Sequence, residues 1–487
     1  MNLLDKDKHR AGVAPRLWQR AATAARSCAP AAAILLIAFV VYALSPISIP
    51  SDSMWSVPVA QSILDRHTTN LDFYRQLVLQ NARYGVHCVD GAKHVRVDEA
   101  MGACLDGHIY NSYPIGVPVL AVPVLMGMHA AMWAVRPLLT HSRWLESHPA
   151  ADAMVRGDFV TAYALVERVV ASFLVALAAA FVFLFAREWL AMRPAAVLAL
   201  LFAFGTPAWS TASRVLWQHG PSMLAIAATM YLLVRGRRTP WMLPMAGFTC
   251  ACAYTFRPTN SLWVMLVSGY VLWCHPRQFW KYLLCAAPVA AAFLAYDYTT
   301  YGKLLSAYYE PRVTPLPWSI LIPAYRNAMA GTLVSPSRGL LVYSPMFLFS
   351  FWGLWLAVRQ RWELRLSLIL VCYSVGLWLV VCLPGGWWDW FGGWCYGPRM
   401  LSDLSPILIF FLIPVFRLWH VWLQKNEPAW RSFVVMGVFT VLAAISCVIH
   451  SQGALTRATH HWNEQPAITE QMLWDWRDPQ FLRGFRH

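Results

Sequence analysis

Asp52 stands three residues after the predicted end of the first long apolar run, in IPSDSMWSVPVAQSILDRHTTNLDFYR (49–75). A carboxylate at headgroup level, beside a partly apolar cavity, loses solvent; its pKa can rise until it serves as a general base. The apolar spacing from Met54 to Leu64 predicts an amphipathic helix lying on the membrane. Asp52 is also placed to cap that helix, with Ser53 close by, and a capping carboxylate can still face a cleft. Asp65, Asp72 and Asp389 are the reserve carboxylates.

Three further stretches carry chemistry. TPAWSTASR (206–214) and LWQHGP (216–221) bring Ser210, Ser213, Arg214, Gln218 and His219 into one polar hairpin. Such a hairpin can bind a phosphate or a sugar hydroxyl, or simply be an interfacial turn anchored by Trp. SPSRGLLVYSPMF (335–347) sets Arg338 beside Gly339, where close backbone approach is possible. GGWWDWFGGWCYGPRMLSDLSP (385–406) surrounds Asp389 with Gly, four Trp and Tyr396. That composition suits stacking on a sugar face, with Trp394 and Tyr396 as candidate walls. Arg399 then opens an apolar run. A charge so near the membrane reads as functional, and Arg suits bidentate phosphate contact. The alternative is an Arg399–Asp403 pair one helical turn apart.

The elements that must position these residues follow from composition. Hydrophobic residues make up 58% of the 487, charged residues 13%, and mean hydropathy is +0.45. A soluble globular chain carries about 25% charge. These values describe a polytopic membrane protein, and the 26 Trp and 19 Tyr suit its two interfaces. Disordered, collagen-like and nucleic-acid-binding classes are excluded; the net charge of +15 reflects cytoplasmic loops.

Eleven spans are expected: 30–49, 161–186, 195–213, 220–234, 241–256, 260–274, 282–299, 339–357, 366–383, 400–416 and 433–450. The Pro-rich stretch 114–135 is ambiguous, and the distribution of positive charge decides it. If it lies on the outer surface or dips into it, 19 of the 39 Lys and Arg fall in loops on one side, RGRR (235–238) among them. The N-terminus, 1–29, is then cytoplasmic and 30–450 forms the transmembrane domain. The outer side carries a large first loop (50–160) with membrane-surface helices, a second (300–338), the aromatic Gly-rich loop 384–399, and the tail 451–487. The inner loops are short and hold no phosphate-binding Gly-rich motif. Of the eleven Cys, eight sit in or against spans as packing residues. Cys88 and Cys104 lie in the outer loop and either close a disulfide or remain free thiols. His460–His461 on the tail reads as solvated.

An aspartate just after the first span, a long first outer loop and eleven spans resemble the GT-C superfamily of membrane glycosyltransferases. The similarity in style is to bacterial members that use polyprenyl-phosphate sugars, including aminoarabinose, mannosyl and arabinofuranosyl transferases. In many of them a KPP-type first-loop segment precedes a span opening with an Arg-Leu-Pro-Ser-like string. YNSYPIGVP (110–118) and LVERVVAS (165–172) are similar in place and depart from both strings. PSRGL, YSP and GGWCYGPR look like a bacterial subgroup, and the resemblance covers the whole chain by topology.

The resemblance implies an all-α GT-C-like fold in a bacterial inner membrane, with its active site periplasmic. It implies inverting transfer of a sugar from a polyprenyl-monophosphate donor to a hydroxyl of a periplasmic glycan, lipid or protein acceptor. Asp52 would take the acceptor proton. Arg399, Arg338 and Arg214 would stabilise the leaving phosphate, and His219, Asp389, Trp394 and Tyr396 would help bind substrate. No cofactor is implied. Some relatives use a divalent cation, but no second carboxylate pairs with Asp52 in the sequence, so metal stays open. The rival readings are a flippase or transporter of lipid-linked sugars and a ligase using a lipid-pyrophosphate glycan. The large outer segments and the lack of a two-half repeat speak against a transporter.

Overall fold

In hydrocarbon a backbone can satisfy its polar groups only internally, so long apolar runs fold as helices. The computed structural model describes residues 14–48, 50–81, 84–96, 104, 106–139, 142–305, 308–309, 316–384, 389–425, 429–464 and 467–485. The principal helices are α1 Ala14–Leu44, α2 Ser56–Arg66, α3 Gly116–Leu139, α4 Tyr163–Ala186, α5 Met192–Phe204, α6 His219–Gly236 and α7 Met245–Phe256. They continue with α8 Ser261–Cys274, α9 Pro276–Tyr301, α10 Trp318–Val334, α11 Leu348–Arg359, α12 Leu364–Val381, α13 Ser405–Lys425 and α14 Ala429–Leu455.

Six helical stretches are long and apolar enough to cross a membrane: Gly116–Leu139, Tyr163–Ala186, Pro276–Tyr301, Leu364–Val381, Arg399–Gln424 and Trp430–Leu455. Shorter apolar helices, Cys28–Leu44 among them, join the bundle. The chain is an α-helical polytopic membrane protein. The bundle's core is α4, whose small Ala-rich face packs against α1, α5 and α6.

Two segments outside the eleven stretches also form long helices. The stretch read as a surface segment, 114–135, is one continuous helix, α3, of spanning length. Its early Pro118 occupies the first turn, where a missing N–H costs nothing. Within 300–338, α10 forms from WSILIPAYRNAMAGTLV despite its internal Pro323.

Ion pairs sort the connections into two ends. Glu188 pairs with Arg235 at 3.1 Å and Arg238 at 3.2 Å, and Glu363 with Arg237 at 2.5 Å. These gather the α4–α5, α6–α7 and α11–α12 links at one end. The turn after α1, the α5–α6 link, the α7–α8 link and the stretch before α13 lie at the other.

Between α2 and α3 sits a three-stranded antiparallel sheet, with β1 (Val86–Asp90) between β2 (Val95–Arg96) and β3 (Gly107–Asn111). Its apolar face, with Val86, Cys88 and Ile109, packs on Trp55 and on Val59 of α2. Cys88 and Cys104 are joined as a disulfide, with 5.8 Å between their Cα atoms and a sequence separation of 16. Closing a loop of this size is worth about 3 kcal/mol in the chain-entropy account. Both thiols are therefore expected to alkylate only after reduction. Cys88→Ser should turn the sheet into a protease-sensitive segment in limited digestion.

Candidate functional site

At the end of the bundle away from the Glu188 and Glu363 pairs, a cavity of about 630 Å³ opens, within the size range of small-molecule sites. Asp52, Tyr84, Tyr113, Trp217, His219, Tyr308, Asp389, Trp394 and Arg399 are among its walls.

Asp52 comes from the turn between α1 and α2. It does not cap α2: the N-cap position is Trp55, without a side-chain cap bond. The Trp55 indole instead donates to the Tyr84 carbonyl at 2.6 Å, tying the turn to the start of the sheet. Gly85 makes this approach possible. Its φ is +70°, and a Cβ there would stand 2.9 Å from the Tyr113 ring. So the disulfide-braced sheet aims Tyr84 at Asp52. The Tyr84 hydroxyl donates to Asp52 Oδ1 at 2.6 Å, and the Tyr113 hydroxyl donates to Tyr84 at 3.3 Å.

The other carboxylate oxygen of Asp52 pairs with Arg399 Nη2. The guanidinium is held from three more directions. Its Nε donates to His219 Nε2 at 3.3 Å, Nη1 donates to the Gly392 carbonyl at 3.3 Å, and its carbon lies 4.0 Å from the centre of the Trp217 ring. Arg399 has only donors, so His219 Nε2 must accept and the ring proton sits on Nδ1. That nitrogen faces Asp403 Oδ1 at 3.6 Å, while Asp403 Oδ2 accepts from Arg257 at 2.5 Å. The Arg399–Asp403 helix pair does not form. Residues 399–404 are a 3₁₀ turn, and each of the two charges pairs elsewhere. Asp403 and Arg257 are both buried, and each keeps the other from being an uncompensated charge.

The electrostatics of Asp52 differ from the sequence expectation. Burial does push its carboxyl up, but Arg399, Tyr84 and Tyr113 together outweigh burial and hold it below the usual carboxylate range. Burial and the neighbouring Asp52 push the Tyr84 phenol up to about 12, so it stays a proton donor. Without an anionic ligand, Asp52 is an ionised, arginine-bound carboxylate.

The remaining sequence candidates divide. His219, Asp389, Trp394 and Arg399 line the cavity with Asp52; Arg214, Arg338 and Tyr396 do not. Arg214 is buried and donates to the carbonyls of Tyr42 and Ser45, sealing the C-terminal end of α1. Arg338 is 2% exposed. It donates to the carbonyls of Ser337, Phe391 and Gly393 and to the side chains of Gln480 and Asn463. Tyr396 is buried, its hydroxyl donating to the Ile449 carbonyl at 2.6 Å. The reserve Asp72 accepts from His108 and the Ile109 amide, and Asp65 from Gln61.

Sequence reasoning missed Tyr84, Tyr113, Trp217, Arg257 and Tyr308. Tyr308 accepts from Gln218 at 2.7 Å across the cavity. A buried Glu167 on α4 accepts from the Leu216 amide at 2.6 Å and fixes the loop that carries Trp217. Among the described residues, no group of three or more His, Cys, Asp or Glu gathers where it could hold a metal ion.

No protein-family model, curated protein or solved structure matches this chain.

Proposed function

We propose that the chain is a membrane glycosyltransferase that moves a sugar from a polyprenyl-monophosphate donor to an acceptor hydroxyl. The observation that carries this reading is the direct Asp52–Arg399 contact in a walled cavity at one end of a membrane bundle. A proton-accepting carboxylate and a phosphate-matching guanidinium are the two charges such a transfer needs. The aromatic walls, Trp217 and Trp394, suit a sugar face.

In the proposed reaction the donor phosphate engages Arg399 and takes it from Asp52. Asp52, released, removes the proton from the acceptor hydroxyl. That oxygen attacks the anomeric carbon, the bond from that carbon to the phosphate oxygen breaks, and polyprenyl phosphate leaves with the electron pair. Arg399, held in place by His219 and Trp217, meets the charge that develops on the leaving oxygen. Attack opposite the leaving group inverts the anomeric centre. The basic links at the far end of the bundle support a cytoplasmic location for that end; on this reading the cavity is periplasmic and the membrane a bacterial inner membrane. The GT-C resemblance and eleven spans belong to the same proposal.

Proteoliposomes carrying the purified chain and a labelled polyprenyl-monophosphate sugar test it. The expected result is release of polyprenyl phosphate with label moved to an acceptor supplied as an envelope extract. Transport of the intact lipid across the bilayer with no bond broken would establish a flippase instead.

A further inference from the structure

A second cavity, of about 480 Å³, lies on the other side of the loop segment that carries Asp389. Its walls come from α10, the end of α12, the loop and the tail. Helix α10 supplies Asn327; the loop supplies Asp389, Trp390 and Phe391; the tail supplies Glu470 and Leu473. Asp389 lines both cavities, so the two share one partition.

The walls are fixed before any ligand arrives. Ser335 Oγ donates to the Leu473 carbonyl at 2.6 Å, and the Trp474 indole donates to Asn327 Oδ1 at 2.8 Å, so the tail is clamped to α10. The second of these bonds occupies the amide oxygen of Asn327 and leaves its NH₂ as the donor. The six-membered edge of the Trp390 indole sits in a notch at Gly331, where even a Cβ would overlap the ring. Phe391 meets Trp390 edge-on at 5.9 Å between ring centres.

This lining selects a ligand class. Among the described residues neither Asp389 nor Glu470 has an ion pair. Two carboxylates without a cation repel anions and accept hydrogen bonds, and the Asn327 amide donates one. An aromatic ring beside hydroxyl-directed acceptors suits a polyol with one apolar ring face.

We propose that the second cavity binds a neutral or amine-bearing saccharide, seated against Trp390 and hydrogen-bonded by Asn327, Asp389 and Glu470. Its role as the acceptor of the transfer rests on the glycosyltransferase reading; the binding itself does not. A saccharide held there lies across one partition from the Asp52–Arg399 pair.

The experiment is equilibrium binding of the full chain in nanodiscs to three labelled probes: cello-oligosaccharides, glucosamine oligomers and oligogalacturonate. The first or second is expected to bind and the acidic one not. Glu470→Gln, an exposed and structurally mild change, and Trp390→Ala should each weaken binding by about ten-fold or more. Glu464→Gln, at a tail carboxylate paired with His461 and outside both cavities, should leave it unchanged. The proposal is overturned if no neutral or amino probe binds, if oligogalacturonate binds best, or if Glu470→Gln binds like the parent. It is equally overturned if Glu464→Gln weakens saccharide binding as much as Glu470→Gln does. Failure of the parent to turn over a polyprenyl-phosphate sugar would count against the transferase reading alone and leave this result standing.

Discussion

Arg399→Ala is expected to lower sugar transfer by about 10²–10³-fold, the usual loss when one donor to a developing anion is removed, and to abolish measurable binding of polyprenyl phosphate. The geometry explains why the loss should be large. No other guanidinium among the described residues lines the cavity with three separate supports, from His219, Gly392 and Trp217. Arg257 also lines it but carries the buried Asp403. Arg399→Lys keeps a charge but lacks the planar fork, so it cannot reach Asp52, His219 and the Gly392 carbonyl together. An intermediate affinity is expected for it. Binding of labelled polyprenyl phosphate in nanodiscs checks both variants, with thermal unfolding as the control for folding. Parental affinity in both would remove Arg399 from the phosphate site.

Asp52→Asn separates two roles that one carboxylate plays here. As the proposed general base its loss should lower turnover by about 10²–10⁴-fold. As the resting partner of Arg399 its loss should do the opposite to the donor, because an uncharged amide competes less well for the guanidinium. Donor affinity is therefore expected to equal or exceed that of the parent while transfer fails. The pH profile carries the same logic. Burial raises the Asp52 carboxyl, but Arg399 and the tyrosines overcome that and hold it low. A base is active when deprotonated, so in the parent kcat/KM should fall only below the usual carboxylate range. That acid limb should be missing from the residual activity of Asp52→Asn. Near-parental transfer by the variant would mean another group accepts the proton.

The bundle was legible because its signal is local. Each of the eleven apolar stretches holds helix, and five of them match helices of spanning length, because a long apolar run folds as helix without needing distant partners. The helix at Trp318–Val334 was not expected, since Pro323 and Arg326 interrupt its apolar run. The site was legible in part for a similar reason. Asp52, His219, Asp389, Trp394 and Arg399 each stand at the end of a span or in a loop rich in Gly and Trp. What local spacing cannot carry is pairing: Asp52 and Arg399 are 347 residues apart. An arginine at the membrane edge reads the same whether it faces a cavity, as Arg399 does, or a ring of carbonyls, as Arg214 and Arg338 do. Tyr84 and Tyr113 gave no signal, since an ordinary loop tyrosine acquires its role only when a sheet turns it toward Asp52.

The loop that holds Asp389, Gly392 and Trp394 has little regular structure of its own, and several of its supports come from far downstream. Asn463 and Gln480 both donate to the Cys395 carbonyl at 3.1 Å, Gln480 accepts from the Gly397 amide, and both accept from Arg338 beneath the loop. Membrane chains are synthesised and inserted from the N-terminus, and their early parts fold first. Asp52 and its sheet can therefore be in place long before Asn463 and Gln480 leave the ribosome. Until they do, the wall carrying Trp394 is held from upstream, by Arg338 at the Phe391 and Gly393 carbonyls and by Trp390 in its notch at Gly331, and lacks the downstream half of its fastening. The order of synthesis thus separates the two sides of the cavity: a nascent chain already threaded through the bilayer has its carboxylate in place, while the opposite wall gains its contacts from Asn463 and Gln480 only once translation has passed residue 480.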